Sequence, residues 1–381
     1  MRKGNGRRPA GGLTQPPGQI VLVLQGGGAL GAYQLGVYQA LHEAGIEPDW
    51  VIGTSIGAIN AAIIAGNEPT ERLSAMHAFW DVLEWRSPFA WLPSVPGIVN
   101  PLSNLSILAQ GVPGFFKPNT SSWWGITQEL GVERAAFYDT GPLRETLDAH
   151  VDFSRVKHLK PRLTVGAVNA RTGVMRYFDS RQEALGVDHV MASGALPPAF
   201  PAIRIDGEPY WDGGVYSNTP IEAVLDDNPR RSSTIFAIQL WNPTGSEPGS
   251  IWEVLGRQKE IQYASRADSH IERQKQIHRL RHVISELGAR LPQNKRTRDD
   301  VRELLSWGCR TTMHIVYLHA PRLEAEDHTK DIDFTSAGIR ARCEAGYRDA
   351  HEAIAEQPWN CEIDSLEGVL VHNHNSADEM P

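Results

Sequence analysis

Two stretches near the start of the chain decide the fold: residues 19–31 read QIVLVLQGGGALG, and residues 50–57 read WVIGTSIG. Each joins a short apolar run to glycines and then to a helical pattern. Such strand and helix patterns alternate as far as about residue 242, which is typical of a sheet covered by helices. We therefore predict an α/β fold with a mainly parallel central sheet.

The glycines after the first strand form a loop that is suited to holding an anion. Gly26, Gly27 and Gly28 let backbone N–H groups converge on one point, and the following helix adds the positive end of its dipole. Gly26, Gly28 and Gly31 also have the spacing of a dinucleotide-binding motif. That motif needs an acidic residue after the second strand. This chain has a serine motif there, so we do not interpret the loop as a dinucleotide site.

The second strand leads into residues 53–57, GTSIG, which match the pattern G-x-S-x-G. Between a strand and a helix this pattern predicts a nucleophile elbow, a sharp turn that exposes the hydroxyl of Ser55. Gly53 and Gly57 are expected to support the turn because the strand and the helix approach closely there. A hydroxyl is a weak nucleophile until a base removes its proton, so Ser55 needs a basic partner.

A candidate for that base is Asp212, which follows a short apolar run and precedes Gly213 and Gly214. The two glycines are expected to hold the carboxylate at a tight turn. An Asp-Gly pair is also an ordinary turn signal, and the pattern alone does not separate the two interpretations.

Taken in order, the glycine loop, the serine elbow one helix later and the distant Asp-Gly-Gly turn resemble the patatin-like phospholipase family. The segment ASGALPPAFP at residues 192–201, just before that turn, belongs to the same plan. The resemblance covers residues 19–242 and implies a three-layer α/β/α fold. It also implies an acyl ester hydrolase with Ser55 as nucleophile, Asp212 as base and Gly26 to Gly28 as oxyanion loop, without a catalytic histidine.

One departure from the family pattern is that many members have Arg or Lys where this chain has Leu30. The resemblance therefore implies no headgroup preference. Because an aspartate with the ordinary pKa of about 3.9 is a weak base, we expect the oxyanion loop to carry much of the catalysis. The expected two-step mechanism through an acyl-serine needs no metal and no cofactor.

Other functions remain open at this level. An α/β-hydrolase would place a histidine after Asp212, and His270, His314 and His319 are available, but its serine elbow normally follows more strands than precede Ser55. A catalytically silent lipid-binding or scaffold protein is a second alternative. The substrate is expected to be a phospholipid or lysophospholipid, with a glyceride, a thioester or a polyester oligomer as alternatives.

The composition divides the chain into four parts. We predict a disordered basic arm at residues 1–18, a catalytic domain at residues 19–245, a mostly helical C-terminal extension at residues 246–362 and a flexible tail at residues 363–381. Histidines 372 and 374 in the tail are too isolated in the sequence to propose a metal site. The basic arm has a weak contact with anionic lipid as its alternative interpretation.

Two segments have unusual composition. Residues 87–128 contain one charged residue and many prolines and aromatics, which predicts either a folded excursion with its own small core or a lid that lines an apolar substrate channel or touches lipid. Residues 257–298 contain eleven Lys or Arg against four acids. They predict a solvated helix face or a surface for anionic lipid or a partner.

Charge and cysteine content indicate the class of partner and the cellular compartment. The formal net charge is −8, which lacks the basic excess of a nucleic-acid-binding protein. Three widely spaced cysteines favour a reducing compartment. No apolar run is long enough for a membrane span. We expect a cytoplasmic protein that contacts a membrane surface transiently, and the sequence implies no oligomeric state.

Overall fold

The computed structural model of the protein describes residues 14–85, 107, 109–120, 127, 129–157, 160–264, 267–323, 326, 328–364 and 366–374. Most of the predicted basic arm and most of the predicted lid at residues 87–128 therefore lie outside the described residues. Of the lid, residues 107, 109–120 and 127 are described.

The strands of the described residues form one large sheet and one small one. They are β1 (Gln19–Leu24), β2 (Trp50–Gly53), β3 (Lys117–Pro118), β4 (Tyr138–Asp139), β5 (Arg162–Asn169), β6 (Met175–Asp179), β7 (Ile203–Ile205), β8 (Glu208–Asp212), β9 (Ser233–Gln239), β10 (Met313–His319) and β11 (Val369–His374). The large sheet has the order β11-β10-β9-β1-β2-β5-β8-β7, with β6 also paired to β5, and β3 pairs with β4 separately. The strands from β11 to β5 are parallel, whereas β6, β7 and β8 are antiparallel to their neighbours.

Helices connect these strands. They are α1 (Ala32–Glu43), α2 (Ile56–Ala65), α3 (Arg72–Leu83), α4 (Gly141–His150), α5 (Phe153–Val156), α6 (Val187–Ser193), α7 (Glu222–Leu225), α8 (Ile251–Tyr263), α9 (Ala267–Arg290), α10 (Gln293–Arg296), α11 (Asp299–Ser306) and α12 (Ser336–Glu356). Short 3₁₀ turns lie at Gly28–Gly31, Gly213–Val215, Lys330–Ile332 and Pro358–Asn360.

The helices lie on both faces of the sheet. Alternate residues of a strand point to opposite faces, and on β1 the side chains of Leu22 and Leu24 join one buried cluster while Val21 and Val23 join another. The first cluster includes α1, α2, α3 and α12, and the second includes α7 and Ile271 of α9. The predicted α/β class with a mainly parallel central sheet is confirmed.

The C-terminal extension is partly helical, as its sequence predicts, and it also extends the sheet. Strand β10 pairs with β9 along its whole length. Helix α12 packs against α1 so closely that a Cβ atom on Gly36 would lie 1.9 Å from the carbonyl oxygen of Cys343, and one on Gly346 would lie 2.0 Å from that of Tyr33. The extension and the N-terminal half therefore share one core.

The predicted flexible tail is wrong for residues 369–374, which form strand β11 at the edge of the sheet. Val369 to His374 pair in parallel with Met313 to Leu318 of β10. The apolar run at 369–371 is too short to stand out in the sequence, and the unpaired backbone edge of β10 orders it. Residues 375–381 lie outside the described part of the chain. None of the helices described is long and apolar enough to cross a bilayer.

Candidate active site

Ser55 occupies the sharp turn between β2 and α2. Its backbone has φ 56° and ψ −128°, a conformation that is strained for a residue with a side chain. The Ser55 amide is fixed by the carbonyl oxygen of Ser193 at 3.2 Å and by its hydroxyl oxygen at 3.1 Å. A Cβ atom on Gly53 would lie 2.2 Å from the carbonyl oxygen of Gly57, and one on Gly57 would lie 2.2 Å from that of Leu24. Both glycines are thus required by the close approach of β2, α2 and β1.

Strand pairing brings Asp212 to Ser55 across 157 positions of sequence. Strand β5 is the common neighbour: Val165 pairs with Gly53 at the end of β2, and Ala167 pairs with Asp212 at the end of β8. Ser55 and Asp212 line the same cavity, and the Ser55 hydroxyl stabilises the charged form of the Asp212 carboxyl group. The two residues singled out in the sequence are therefore neighbours in the fold.

Asp212 is an unusual carboxyl group because it is only 1% exposed. Burial disfavours the charged form and raises the pKa of Asp212 to about 7, although the Ser55 hydroxyl and the Gly214 amide act in the opposite direction. The Gly214 amide donates to Asp212 Oδ1 at 2.7 Å. The ordinary pKa assumed from the sequence is wrong, and a carboxylate of this pKa is a stronger base than a free aspartate.

The glycines after Asp212 are needed for packing. A Cβ atom on Gly213 would lie 2.5 Å from the carbonyl oxygen of Gly166, and one on Gly214 would lie 2.8 Å from Asn218 Oδ1. The turn therefore fits between β5 and the segment that carries Asn218.

The glycine loop lies beside Ser55, but only some of its three backbone amides are free to donate to a ligand. A Cβ atom on Gly26 would lie 2.9 Å from that of Ser55. The Gly26 amide already donates to the carbonyl oxygen of Asn218 at 3.3 Å. In the described part of the chain, the amides of Gly27 and Gly28 have no acceptor. Gly28 adopts φ 57°, a conformation that favours glycine. Two amides, rather than the three predicted, are therefore available to a ligand.

Three polar residues that the sequence analysis did not single out hold this loop. Asn218 Nδ2 and Trp241 Nε1 donate to the carbonyl oxygen of Gly26 at 3.1 and 2.8 Å. Gln25 Oε1 accepts from the Trp241 amide at 3.0 Å. Gln25 and Asn218 stand next to the glycine loop and the Asp-Gly-Gly turn, and this adjacency is the one sequence signal that could have found them.

Ser55 opens into a cavity of about 340 Å³ whose wall is largely apolar and aromatic. Phe115 and Phe116, from the described part of the predicted lid, lie in this wall with Tyr138 and Phe200, and the rings of Phe116 and Tyr138 are 4.8 Å apart. This placement agrees with a lid that lines an apolar channel. No histidine of the described residues lines the cavity, so a Ser-Asp-His arrangement has no third member there.

The C-terminal extension supplies the charged part of the wall. Lys259 on α8 is the one basic side chain lining the cavity, counting the described residues alone, and Asp331 lies beside it. Lys259 Nζ contacts Asp331 Oδ1 at 2.8 Å and Oδ2 at 3.0 Å. No pattern in the sequence predicts that this segment lines the cavity.

Leu30, where many family members have a cation, is buried. It lines a separate cavity of about 220 Å³ together with Lys330 and Arg342 of the extension. Cations therefore lie near this position, although the glycine loop does not carry one.

One group of three side chains among the described residues could hold a metal ion. Ligand atoms of His314, Cys361 and His372 lie within 4.8 Å of one another, and the two histidine rings hydrogen-bond at 3.1 Å. Strand β10, which carries His314, is three strands from β2. The group is therefore separate from the site at Ser55.

Comparison with known families agrees with the fold and the motifs. A family model described as patatin-like phospholipase matches residues 22–225, more than half of the chain, and a second one described as patatin phospholipase matches residues 261–365. The chain belongs to the patatin-like phospholipase family.

Several curated proteins are similar over part of their length. The chain is 27% identical over 223 residues to a cGAMP-activated phospholipase of Pseudomonas aeruginosa, covering 55% of this chain and 56% of the relative. It is 25% identical over 245 residues to lysophospholipase NTE1 of Candida glabrata, covering 62% and 12%. It is 61% identical over 46 residues to lysophospholipase nte1 of Aspergillus terreus, covering 12% and 3%. The chain thus spans between 3% and 56% of these relatives.

Two solved structures are similar at low identity. VipD from Legionella pneumophila has a TM-score of 0.39 and 16% identity, with 90% of this chain and 67% of that chain covered. The ExoU–SpcU complex of Pseudomonas aeruginosa has a TM-score of 0.35 and 15% identity, with 91% and 53% covered.

Proposed function

We propose that the protein is a serine-dependent lipid acyl hydrolase that works with a Ser-Asp dyad. The observation that carries the proposal is a buried carboxyl group, Asp212, with a pKa of about 7, which lines the same cavity as the strained Ser55. A base whose pKa lies near the operating pH combines a large ionised fraction with useful basicity. The strained turn keeps the hydroxyl exposed for attack.

The reaction has two steps. Asp212 accepts the proton of Ser55 as the hydroxyl oxygen attacks the ester carbonyl carbon, and the amides of Gly27 and Gly28 donate to the resulting oxyanion. The carbon–oxygen bond to the leaving alcohol breaks, and the alcohol takes the proton from Asp212. Water then gives a proton to Asp212 and its oxygen attacks the carbonyl carbon of the acyl-serine. The bond between that carbon and Ser55 Oγ breaks, the acid is released, and Asp212 returns the proton to Ser55. By analogy with other acyl-transfer sites, one oxyanion donor is worth about 2.7 to 4 kcal/mol of barrier.

The cavity supports a substrate with a long acyl chain. Its aromatic wall, with Phe115, Phe116 and Phe200, offers apolar surface to a hydrocarbon chain beside Ser55. Relatives named phospholipase or lysophospholipase support a glycerophospholipid or its lyso form. A relative named triacylglycerol lipase, 39% identical over 85 residues, supports a glyceride as the alternative. The substrate class of the proposal is therefore a phospholipid or lysophospholipid carboxylic ester.

The start of α8 supports transient contact with a lipid surface. Ile251 is 80% and Trp252 is 63% exposed, and Leu255 one turn on is also exposed. The same helix reaches the cavity through Lys259 and Tyr263. We therefore propose that α8 contacts the membrane periphery. The cytoplasmic side is the proposed location because the three widely spaced cysteines favour a reducing compartment.

Active-site labelling tests the proposal. The full-length protein is incubated with a fluorophosphonate probe and the labelled peptide is mapped by mass spectrometry. We expect a single adduct on Ser55, none in Ser55→Ala, and normal labelling in Ser74→Ala, whose hydroxyl is on an exposed face of α3. A lipid panel with product masses, run beside Ser55→Ala, then identifies the ester bond cleaved. Absence of labelling in a folded wild-type protein would favour the silent lipid-binding alternative.

A further inference from the structure

The C-terminal extension touches the loop that precedes α1 at two separate points. The first is the carbonyl oxygen of Tyr263, at the end of α8. It accepts from Gln25 Nε2 at 3.2 Å and from Asn218 Nδ2 at 3.0 Å. Asn218 in turn holds the carbonyl oxygen of Gly26. The last residue of α8 thus fixes two of the three side chains that hold the glycine loop.

The second point is the 3₁₀ turn at residues 330–332. A Cβ atom on Gly28 would lie 2.2 Å from the carbonyl oxygen of Asp331, so the backbone of the turn packs directly on the backbone of the loop. The turn is itself anchored by Arg342 of α12, whose Nη2 donates to the carbonyl oxygen of Lys330 at 3.1 Å. Arg342 is 4% exposed, so this anchor is buried.

Two ion pairs of opposite polarity join α8 to this turn. Lys259 pairs with Asp331 at 2.8 Å, and its neighbour Glu260 pairs with Lys330 at 3.0 Å. The Glu260 and Lys330 side chains are 17% and 11% exposed. The pairs therefore set the position of the two points at which the extension touches the glycine loop.

We propose that the C-terminal extension is part of the active site and that the Lys259–Asp331 pair positions the Gly27 and Gly28 amides for the oxyanion. The inference rests on the proposed acyl hydrolase function. Lys259 and Asp331 are positioning residues in this account, because they act through the loop and do not touch the reacting atoms.

Lys259 lines the cavity, so a direct role in binding a substrate anion is the competing interpretation. Its ammonium group already donates to both oxygens of Asp331 and to the carbonyl oxygen of His328 at 3.3 Å. An ammonium group has three protons, and each has an acceptor in the protein. The contacts therefore favour a structural use of the charge over recognition of a phosphate.

The test separates kcat from KM on a soluble, uncharged short-chain ester. We expect Lys259→Met and Asp331→Asn each to lower kcat on the order of ten- to a hundredfold, with KM nearly unchanged, because small displacements of catalytic groups cost rates of this size. The rate of fluorophosphonate labelling should fall in parallel, since its phosphonyl oxygen needs the same amides. Lys259→Arg should retain most of the activity. Lys275→Met removes an exposed lysine–glutamate pair on α9 and should change neither parameter.

The outcomes distinguish this inference from the proposed function. A folded wild-type protein that neither labels nor hydrolyses the ester would remove the proposed function. An active wild type with unchanged kcat in both variants would overturn the positioning role alone. A rise in KM confined to phospholipid, with the neutral ester unaffected, would also overturn it and assign Lys259 to headgroup binding. Circular dichroism checks folding, and Asp331→Asn, which is nearly isosteric, decides the question if Lys259→Met does not fold.

Discussion

The pH dependence of hydrolysis is the most direct test of the Asp212 environment. The base must be ionised to accept the Ser55 proton, and burial raises its pKa to about 7. At pH 5, two pH units lower, only about one carboxyl group in a hundred is ionised. We therefore expect kcat/KM to fall about a hundredfold between a plateau above pH 8 and pH 5, with a midpoint near 7, because kcat/KM reports the pKa of the free enzyme.

The measurement uses a soluble, uncharged ester, and the acid product is quantified by chromatography so that the readout does not depend on pH. A blank with Ser55→Ala at each pH removes the uncatalysed rate. Return of full activity after a sample moves from pH 5 to pH 8 excludes irreversible unfolding. An aspartate with the ordinary pKa of about 3.9 would give a nearly flat profile between pH 5 and 8. A flat profile would therefore refute the burial argument.

Burial raises the pKa of Asp212 in the folded state to about 7, so this group stabilises the fold below about pH 4, and the stabilisation is lost as the pH rises through about 7. At pH 8 the buried carboxylate is charged in wild type, whereas Asp212→Asn is neutral. The variant should therefore be more stable than wild type at pH 8 by up to about 4 kcal/mol. Equal urea unfolding midpoints for Asp212→Asn and wild type at pH 8 would contradict this expected gain in stability. Gly28→Ala should lower kcat at least tenfold. Gly173→Ala, at a position with a similar positive φ and open space around it, should leave kcat unchanged. An equal loss of kcat in both variants would point to general backbone strain. Trp252→Asp should weaken sedimentation with phosphatidylglycerol vesicles while leaving hydrolysis of a soluble ester intact. Trp307→Asp, directly after α11, serves as the matched exposed tryptophan. Unchanged sedimentation of Trp252→Asp would exclude the start of α8 as the element that contacts the membrane.

The fold class and the core of the candidate site could be predicted because their signals are local. A strand, a glycine-rich turn and a helix succeed one another within about fifteen residues at both the glycine loop and Ser55. Each turn admits little besides glycine for steric reasons, so the pattern remains visible in a single sequence. Asp212 could be found for the same reason, since two glycines follow it.

The electrostatic state of the site could not be predicted in this way. The pKa of Asp212 depends on how completely the sheet and the neighbouring segments exclude water from one carboxyl group, and no local pattern reports that. Which of the three loop amides are free to donate likewise depends on Asn218, which lies 192 residues from Gly26.

The role of the extension was missed because its contacts are long-range and partly made by backbone atoms. The carbonyl oxygens of Tyr263 and Asp331 have no sequence signature, and they reach residues more than two hundred positions earlier in the chain. Strand β11 was missed because pairing with β10 decides its conformation more than its own composition does.

The crossing of α1 and α12 limits how this protein can be re-engineered. At Gly36 and Gly346 the two helices meet main chain to main chain, so neither position has room for even a methyl group. A chimera that joins the first half of this chain to the last half of a relative would keep this helix packing only if glycine is retained at both contact positions, in the same register along the two helices. The boundary between the two family matches is thus a poor place to cut the molecule.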